Sequence, residues 1–177
     1  MVFDNNSIPE EIRRDWRLPV YLLAVSMLLL VSFAWNFLPA FQVIEIANPA
    51  NVTSISGWVA YFGGTAVDVY YPLTFGISAQ VLTLISALCA LAFSLLLKLR
   101  RTDGRRRFSL IVVSLSTNLA AVILLFLSKW QFTDVNQLTI LGLTSHYHVG
   151  LVLQAMTLLC AGYIQWFFFI KIRHYIK

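Results

Sequence analysis

The chain has 177 residues, of which 12% are charged and 59% hydrophobic, with a mean hydropathy of +0.75 and a formal charge of +5. Soluble domains carry about 25% charged residues, so these figures point to an integral membrane protein. The basic residues lie between long apolar runs rather than across a polar surface, which weighs against nucleic acid as a partner. Cys89 and Cys160 fall inside apolar runs and lack CxxC spacing, so they read as small buried hydrophobes rather than a disulfide framework or a redox pair.

A bilayer core about 30 Å thick takes roughly 20 apolar residues as helix, because every backbone amide must find its partner within the segment. Stretches of that kind run over about 18–38, 76–97, 108–128 and 147–170, and none of them contains Asp, Glu, Lys or Arg. The first follows Arg13, Arg14 and Arg17, as a signal peptide would, but its apolar part exceeds the roughly 7–15 residues of such a signal. It reads as a retained span, with Pro19 in its first turn, where an N–H has no partner anyway. The expected fold is an all-α, four-transmembrane-helix bundle forming one membrane domain over 1–177. Its outer loops are 39–75 and 129–146, and its cytoplasmic loop is 98–107.

The long outer loop holds "FQVIEIA" (41–47), "ISGWVAYF" (55–62) and "TAVDVYY" (65–71), separated by "NPAN" and by Gly63 and Gly64. Runs rich in β-branched and aromatic residues between turn formers predict a small antiparallel sheet or a pair of hairpins. Trp58, Tyr61, Phe62, Tyr70 and Tyr71 form a candidate partner-binding surface, since aromatic side chains concentrate binding energy. The alternative is an aromatic belt at headgroup depth, shared with Trp35 and Trp130. "NVT" at 51–53 is a glycosylation sequon on the same side.

"KLRRTDGRRRF" (98–108) joins the second and third runs and holds six of the thirteen Lys and Arg residues. Arg13, Arg14 and Arg17 precede the first run, and Lys171, Arg173 and Lys177 follow the fourth, so four spans place twelve of the thirteen on one side. The positive-inside rule makes that side, with both termini, cytoplasmic. Arg100, Arg101, Arg105, Arg106 and Arg107 are also candidates for contact with anionic lipid, at about 1 kcal/mol per side chain near the surface. Topology alone, with "TDG" as the reversal, accounts for them as well.

Helical spacing places Ala79, Thr83, Ser86 and Ala90 on one stripe of the second span. It groups Ser114, Asn118 and Ala121 on the third, and Gly150, Gln154, Ala161 and Gln165 on the fourth. Small and hydrogen-bonding residues let membrane helices approach, so these are the candidate packing seams. Asn118, Gln154 and Gln165 carry a second reading as the lining of a ligand or lipid pocket. His146 and His148, in "SHYHVG", are candidates for a metal site with Glu45, Asp68 or Asp134, against an ordinary role in interfacial hydrogen bonding. No catalytic, nucleotide-binding or cofactor motif is present, so no cofactor is indicated and no catalytic residue is assigned.

Four spans, cytoplasmic termini and a long, strand-bearing first outer loop together resemble the claudin-like tetraspan plan. Claudins carry a Trp-Gly-Leu-Trp-Cys-Cys type signature in that loop; here "SGWVAYFGG" supplies Trp58 without a second tryptophan or a cysteine. The resemblance implies topology and no functional residue. The expected function is association: an accessory or scaffolding subunit of a membrane complex, or a tetraspan that assembles with copies of itself, surrounded by membrane lipid. The alternatives are a redox-complex subunit with a quinone or lipid groove near Asn118, Gln154 and Trp166, and a small-molecule channel or transporter.

Overall fold

The computed structural model describes residues 17–65, 69–70, 73–99 and 104–176. Helix α1, Arg17–Val31, continues without a break into a tighter 3-10 segment, Ser32–Phe37. The continuous helical run ends because Pro39 forces the preceding residue out of the helical region: Leu38 is extended, with ψ 158°. Strand β1, Pro39–Glu45, follows directly and turns back through β2, Val52–Ser56.

The next six residues, Gly57–Phe62, form a short helix, α2, where the aromatic run predicted strand. Its ends explain the difference. The Ser56 hydroxyl accepts the Val59 N–H at the helix start, and Gly63 closes the helix at φ 81°, a conformation open to glycine. Two antiparallel strands of two residues each, β3 (Gly64–Thr65) and β4 (Val69–Tyr70), precede α3, Thr74–Leu99. Helix α4, Gly104–Val135, strand β5, Leu143–Tyr147, and helix α5, Val149–Ile176, complete the chain.

The four long helices are long and apolar enough to cross a membrane and run up and down in turn. They pack as a ring, with α1 against α3 and α5, and α4 against the same two. At 1.5 Å per residue, the 32 residues of α4 span about 48 Å, well beyond a 30 Å bilayer core. The stretch 129–135, expected in the second outer loop, is therefore helix. Its extra turns lift Phe132 above the spans, and the Gln131 side-chain oxygen accepts the Phe75 N–H at the start of α3.

The sheet has the order β2-β1-β5 and is antiparallel throughout. Its third strand comes from the connection between α4 and α5, with Phe41 opposite Tyr147, Val43 opposite Ser145 and Glu45 opposite Leu143. Strand pairing in the first loop alone therefore accounts for only part of the sheet. A register irregularity between Pro39 and Phe41 puts Ala40 and Phe41 both inside, while Val43 continues the buried side of the strand.

The core between sheet and bundle is aromatic. Phe41 stacks on Phe132 with ring centres 4.7 Å apart and planes 5° from parallel, and Tyr61 meets the Phe41 ring edge-on at 6.4 Å. Gly76 makes room for this group, since a Cβ there would overlap the Cδ1 edge of the Tyr61 ring. Gly150 does the same at the start of α5, where a Cβ would lie 2.7 Å from the Pro39 carbonyl and 2.9 Å from that of Leu38. A second, smaller cluster at the end bearing both termini joins Leu18, Leu22, Phe93, Ile111 and Phe168.

Candidate functional site

Two polar layers cross the bundle. In the layer nearer the sheet, Asn36 and Gln80 face each other as paired amides: Asn36 Nδ2 donates to Gln80 Oε1 at 3.1 Å, and Gln80 Nε2 donates back to Asn36 Oδ1 at 3.3 Å. Gln154 Nε2 adds a second donor to Gln80 Oε1 at 3.0 Å. Three helical elements, from the first, second and fourth spans, are thus tied through neutral amides. Asn36 reaches the layer from the 3-10 segment and is buried there with Ser32.

The deeper layer is built on a serine pair. Ser86 Oγ donates to the Ser114 carbonyl at 2.7 Å, and Ser114 Oγ donates to the Ser86 carbonyl at 2.8 Å. Because both hydroxyl protons go to backbone, the two oxygens accept from Gln165 Nε2 at 3.2 and 2.7 Å. Asn118 Nδ2 then donates to Gln165 Oε1 at 3.2 Å and to the Leu158 carbonyl at 2.9 Å, leaving Asn118 Oδ1 buried without a partner. Hydroxyl-to-carbonyl bonds from Ser26 to Ala87 and from Ser94 to Pro19 fasten α1 to α3.

The residues singled out on the seams are all buried: Ala79, Thr83, Asn118, Ala121, Gly150, Gln154, Ala161 and Gln165. Trp166 is half-exposed on the outside of α5, stacked on Phe169, so it does not line a groove with Asn118 and Gln154. Gln154 and Gln165 have their donors committed between helices, and so does Asn118. The layers contain no ionisable side chain, and their chemistry is the exchange of neutral hydrogen bonds.

At the sheet end, the aromatic residues divide. Phe37, Trp58 and Phe62 form a continuous exposed row, 72%, 51% and 44% accessible, with ring centres 5.8 Å apart for the first pair and 4.6 Å for the second. Phe37 had no place in the sequence-derived surface; its adjacency depends on the 3-10 segment turning it toward α2. Tyr61 is corrected from that surface. At 100° per residue, the helix that presents Trp58 and Phe62 outward turns Tyr61 inward, where it is fully buried. Its hydroxyl lacks a hydrogen-bond partner; burial pushes its pKa far up, and the nearby Ser128 side chain offsets this only in part. For Tyr70 only the strand backbone is described, and Tyr71 lies outside the described residues.

Trp35 is drawn inward and donates from Nε1 to Thr157 Oγ1 at 3.1 Å, whereas Trp130 stands exposed on α4. His146 sits exposed on β5 opposite Gln42, and the His148 backbone N–H donates to the Ala40 carbonyl. The Glu45 carboxylate is engaged by Asn51 Nδ2 at 3.0 Å. Among the described residues, no three of His, Cys, Asp or Glu come together as a metal site; Asp68 lies outside them. Arg100 and Arg101 also lie outside the described residues, while Arg105, Arg106 and Arg107 belong to the first turns of α4.

No protein-family model, curated protein or solved structure matches this chain. What stands is a multi-pass membrane protein with a four-span helical bundle and a structured, sheet-bearing loop region.

Proposed function

We propose that this chain has no catalytic groups of its own and acts by association, as an accessory or scaffolding subunit of a membrane complex or as a tetraspan that assembles with copies of itself. The observation that carries this reading is the row Phe37, Trp58 and Phe62. Three large rings, two on the capped helix α2 and one at the end of the 3-10 segment, are held against one another at the boundary between spans and sheet, so little side-chain freedom remains to be lost on binding. The anchor residues of protein interfaces have this character. The claudin-like plan supports the reading through its architecture, four spans and an outer sheet, and contributes no residue to it. The distribution of Lys and Arg supports a cytoplasmic placement of the end at which α1 begins and α5 finishes.

The test is purification of the full chain in several mild detergents, followed by cross-linking and native mass spectrometry. The expected result is a discrete assembly that Trp58→Ala combined with Phe62→Ala weakens about tenfold or more, with the thermal midpoint of the protein nearly unchanged. A lone monomer in every detergent, or an assembly indifferent to the double substitution, would overturn the proposal.

A further inference from the structure

The sequon at 51–53 has no part in association through the aromatic row, and the fold places it in the open. Asn48, Pro49, Ala50 and Asn51 make a tight turn in which the Asn51 N–H donates to the Asn48 carbonyl at 2.9 Å. Asparagine first and proline second suit such a turn, since the proline ring presets φ. From Pro39 to Glu45, strand β1 carries the chain about 20 Å along its length from the end of the first span toward that turn. Residues 46–54 are all exposed, so Asn51, Val52 and Thr53 present an unbroken accessible acceptor sequence.

The strand that follows is an unprotected edge. In the order β2-β1-β5, strand β5 packs against α4, where the Thr133 and Ser145 hydroxyls meet at 2.8 Å, while β2 lies at the opposite side of the sheet. Proteins commonly blunt such an edge with charge or proline. The five residues of β2, "VTSIS", contain neither, and no charged residue occurs from Ile46 to Val67. A bulky hydrophilic group at Asn51, directly before β2, supplies the missing cover and displaces nothing.

The chemistry at Asn51 is also compatible with the fold. Its Nδ2 donates to the Glu45 carboxylate at 3.0 Å, an exposed bond that competes with water. Glycosyl transfer to Nδ2 forms one C–N bond, breaks the bond from the sugar C1 to the diphosphate of a lipid-linked donor, and releases one amide proton. The second N–H stays and suffices for the bond to Glu45.

We propose that Asn51 is the acceptor of one N-linked glycan, transferred from a lipid-linked oligosaccharide on the non-cytoplasmic side of the membrane. The side follows from the distribution of Lys and Arg, and the aromatic row plays no part in it.

The full chain is made in a eukaryotic host, and membranes are compared by gel mobility before and after digestion with peptide N-glycosidase, so no variant has to survive purification. The parent should carry one glycan that the enzyme releases. Asn51→Gln and Thr53→Ala should each abolish it, whereas Thr53→Ser keeps the acceptor sequence and should keep the glycan. Gln137→Asn reports sidedness independently. Gln137 is exposed in the connection between α4 and β5 at φ 51°, a conformation in which asparagine is enriched, and the substitution turns 137–139 into a further acceptor sequence. That variant should carry two glycans. An unmodified parent overturns the proposal, and the control tells why: a glycan gained by Gln137→Asn leaves the sidedness intact and rejects Asn51 itself. A glycan at Asn5, in the other sequon of the chain, would mean an inverted orientation and overturn both. A parent glycan that survives Asn51→Gln would reject the site as well.

Discussion

At the sheet end, Phe41, Tyr61 and Phe132 fill the space above the helices, and a strand from about a hundred residues downstream completes the cover. At the termini-bearing end, five side chains form a small cluster beside an open cleft. The first end is packed protein against protein, so an atom removed there leaves a hole. The second borders lipid, which can flow into any space a substitution makes. Similar aromatic residues should therefore carry very different weights at the two ends.

The sharpest way to break this contrast is to truncate one phenylalanine at each end. Phe132→Ala should destabilise the protein by about 3–5 kcal/mol, whereas Phe167→Ala should stay within about 0.5 kcal/mol, both read by thermal or denaturant unfolding in detergent. Equal losses would mean that the two ends are packed alike. Next in size is Gly150→Ala, whose new Cβ meets backbone carbonyls that have little room to retreat. About 1–3 kcal/mol is expected, with the loss concentrated at the junction of sheet and bundle.

Tyr61 adds a dependence on pH that only the sheet end should have. Its folded pKa lies above its ordinary 10.0 because ionisation would put a charge into the core. The contribution is complete below pH 10 and falls as the unfolded chain ionises above it, at about 1.4 kcal/mol per pH unit while the folded group stays protonated. Tyr61→Phe should remove that slope and be nearly neutral at pH 7, since the lost hydroxyl made no hydrogen bond. A slope unchanged in the variant would place the ionisation elsewhere. The smallest effect belongs to the amide layers: Gln154→Leu should cost about 0.6 kcal/mol, the average for such bonds in membranes. A double-mutant cycle with Gln80→Leu measures the coupling directly, and a value above about 2 kcal/mol would mark the layer as more than ordinary interhelical bonding.

The four spans are legible because roughly 20 uncharged residues in a row have few other uses. The end of the third was not. Lys129 and Asp134 stop an apolar run, yet a helix that rises out of the bilayer keeps its hydrogen bonds while its side chains turn polar. There the Lys129 ammonium sits 4.9 Å above the Tyr147 ring and the Thr133 hydroxyl meets that of Ser145, contacts set by tertiary structure. The aromatic run at 57–62 shows the limit from the other side. Its composition favours strand, and the Ser56 cap, the Gly63 stop and the inward burial of Ala60 and Tyr61 make it helix.

Within the bundle, helical spacing places the small and polar residues on common faces but says nothing of which amide meets which. That Asn36 joins Gln80 and Gln154 depends on the 3-10 turn before Pro39. That Gln165 reaches two hydroxyls depends on the serines having given their protons to carbonyls. Neither fact has a local signature. Strand β5 was equally hidden, since "LTSHY" is short and its partner in sequence is remote.

The pairing of β1 with β5 also orders events during synthesis. One edge of β1 can be satisfied by β2 almost at once, but the other waits for residues 143–147 to be made and the third span to be inserted. At 5–20 residues per second, the nascent chain carries that bare edge for roughly 5–20 s. A truncated product lacking the last quarter of the chain would carry it permanently, with a row of unpaired amides ready for any other strand. The closed sheet thus marks a chain made at least as far as residue 147.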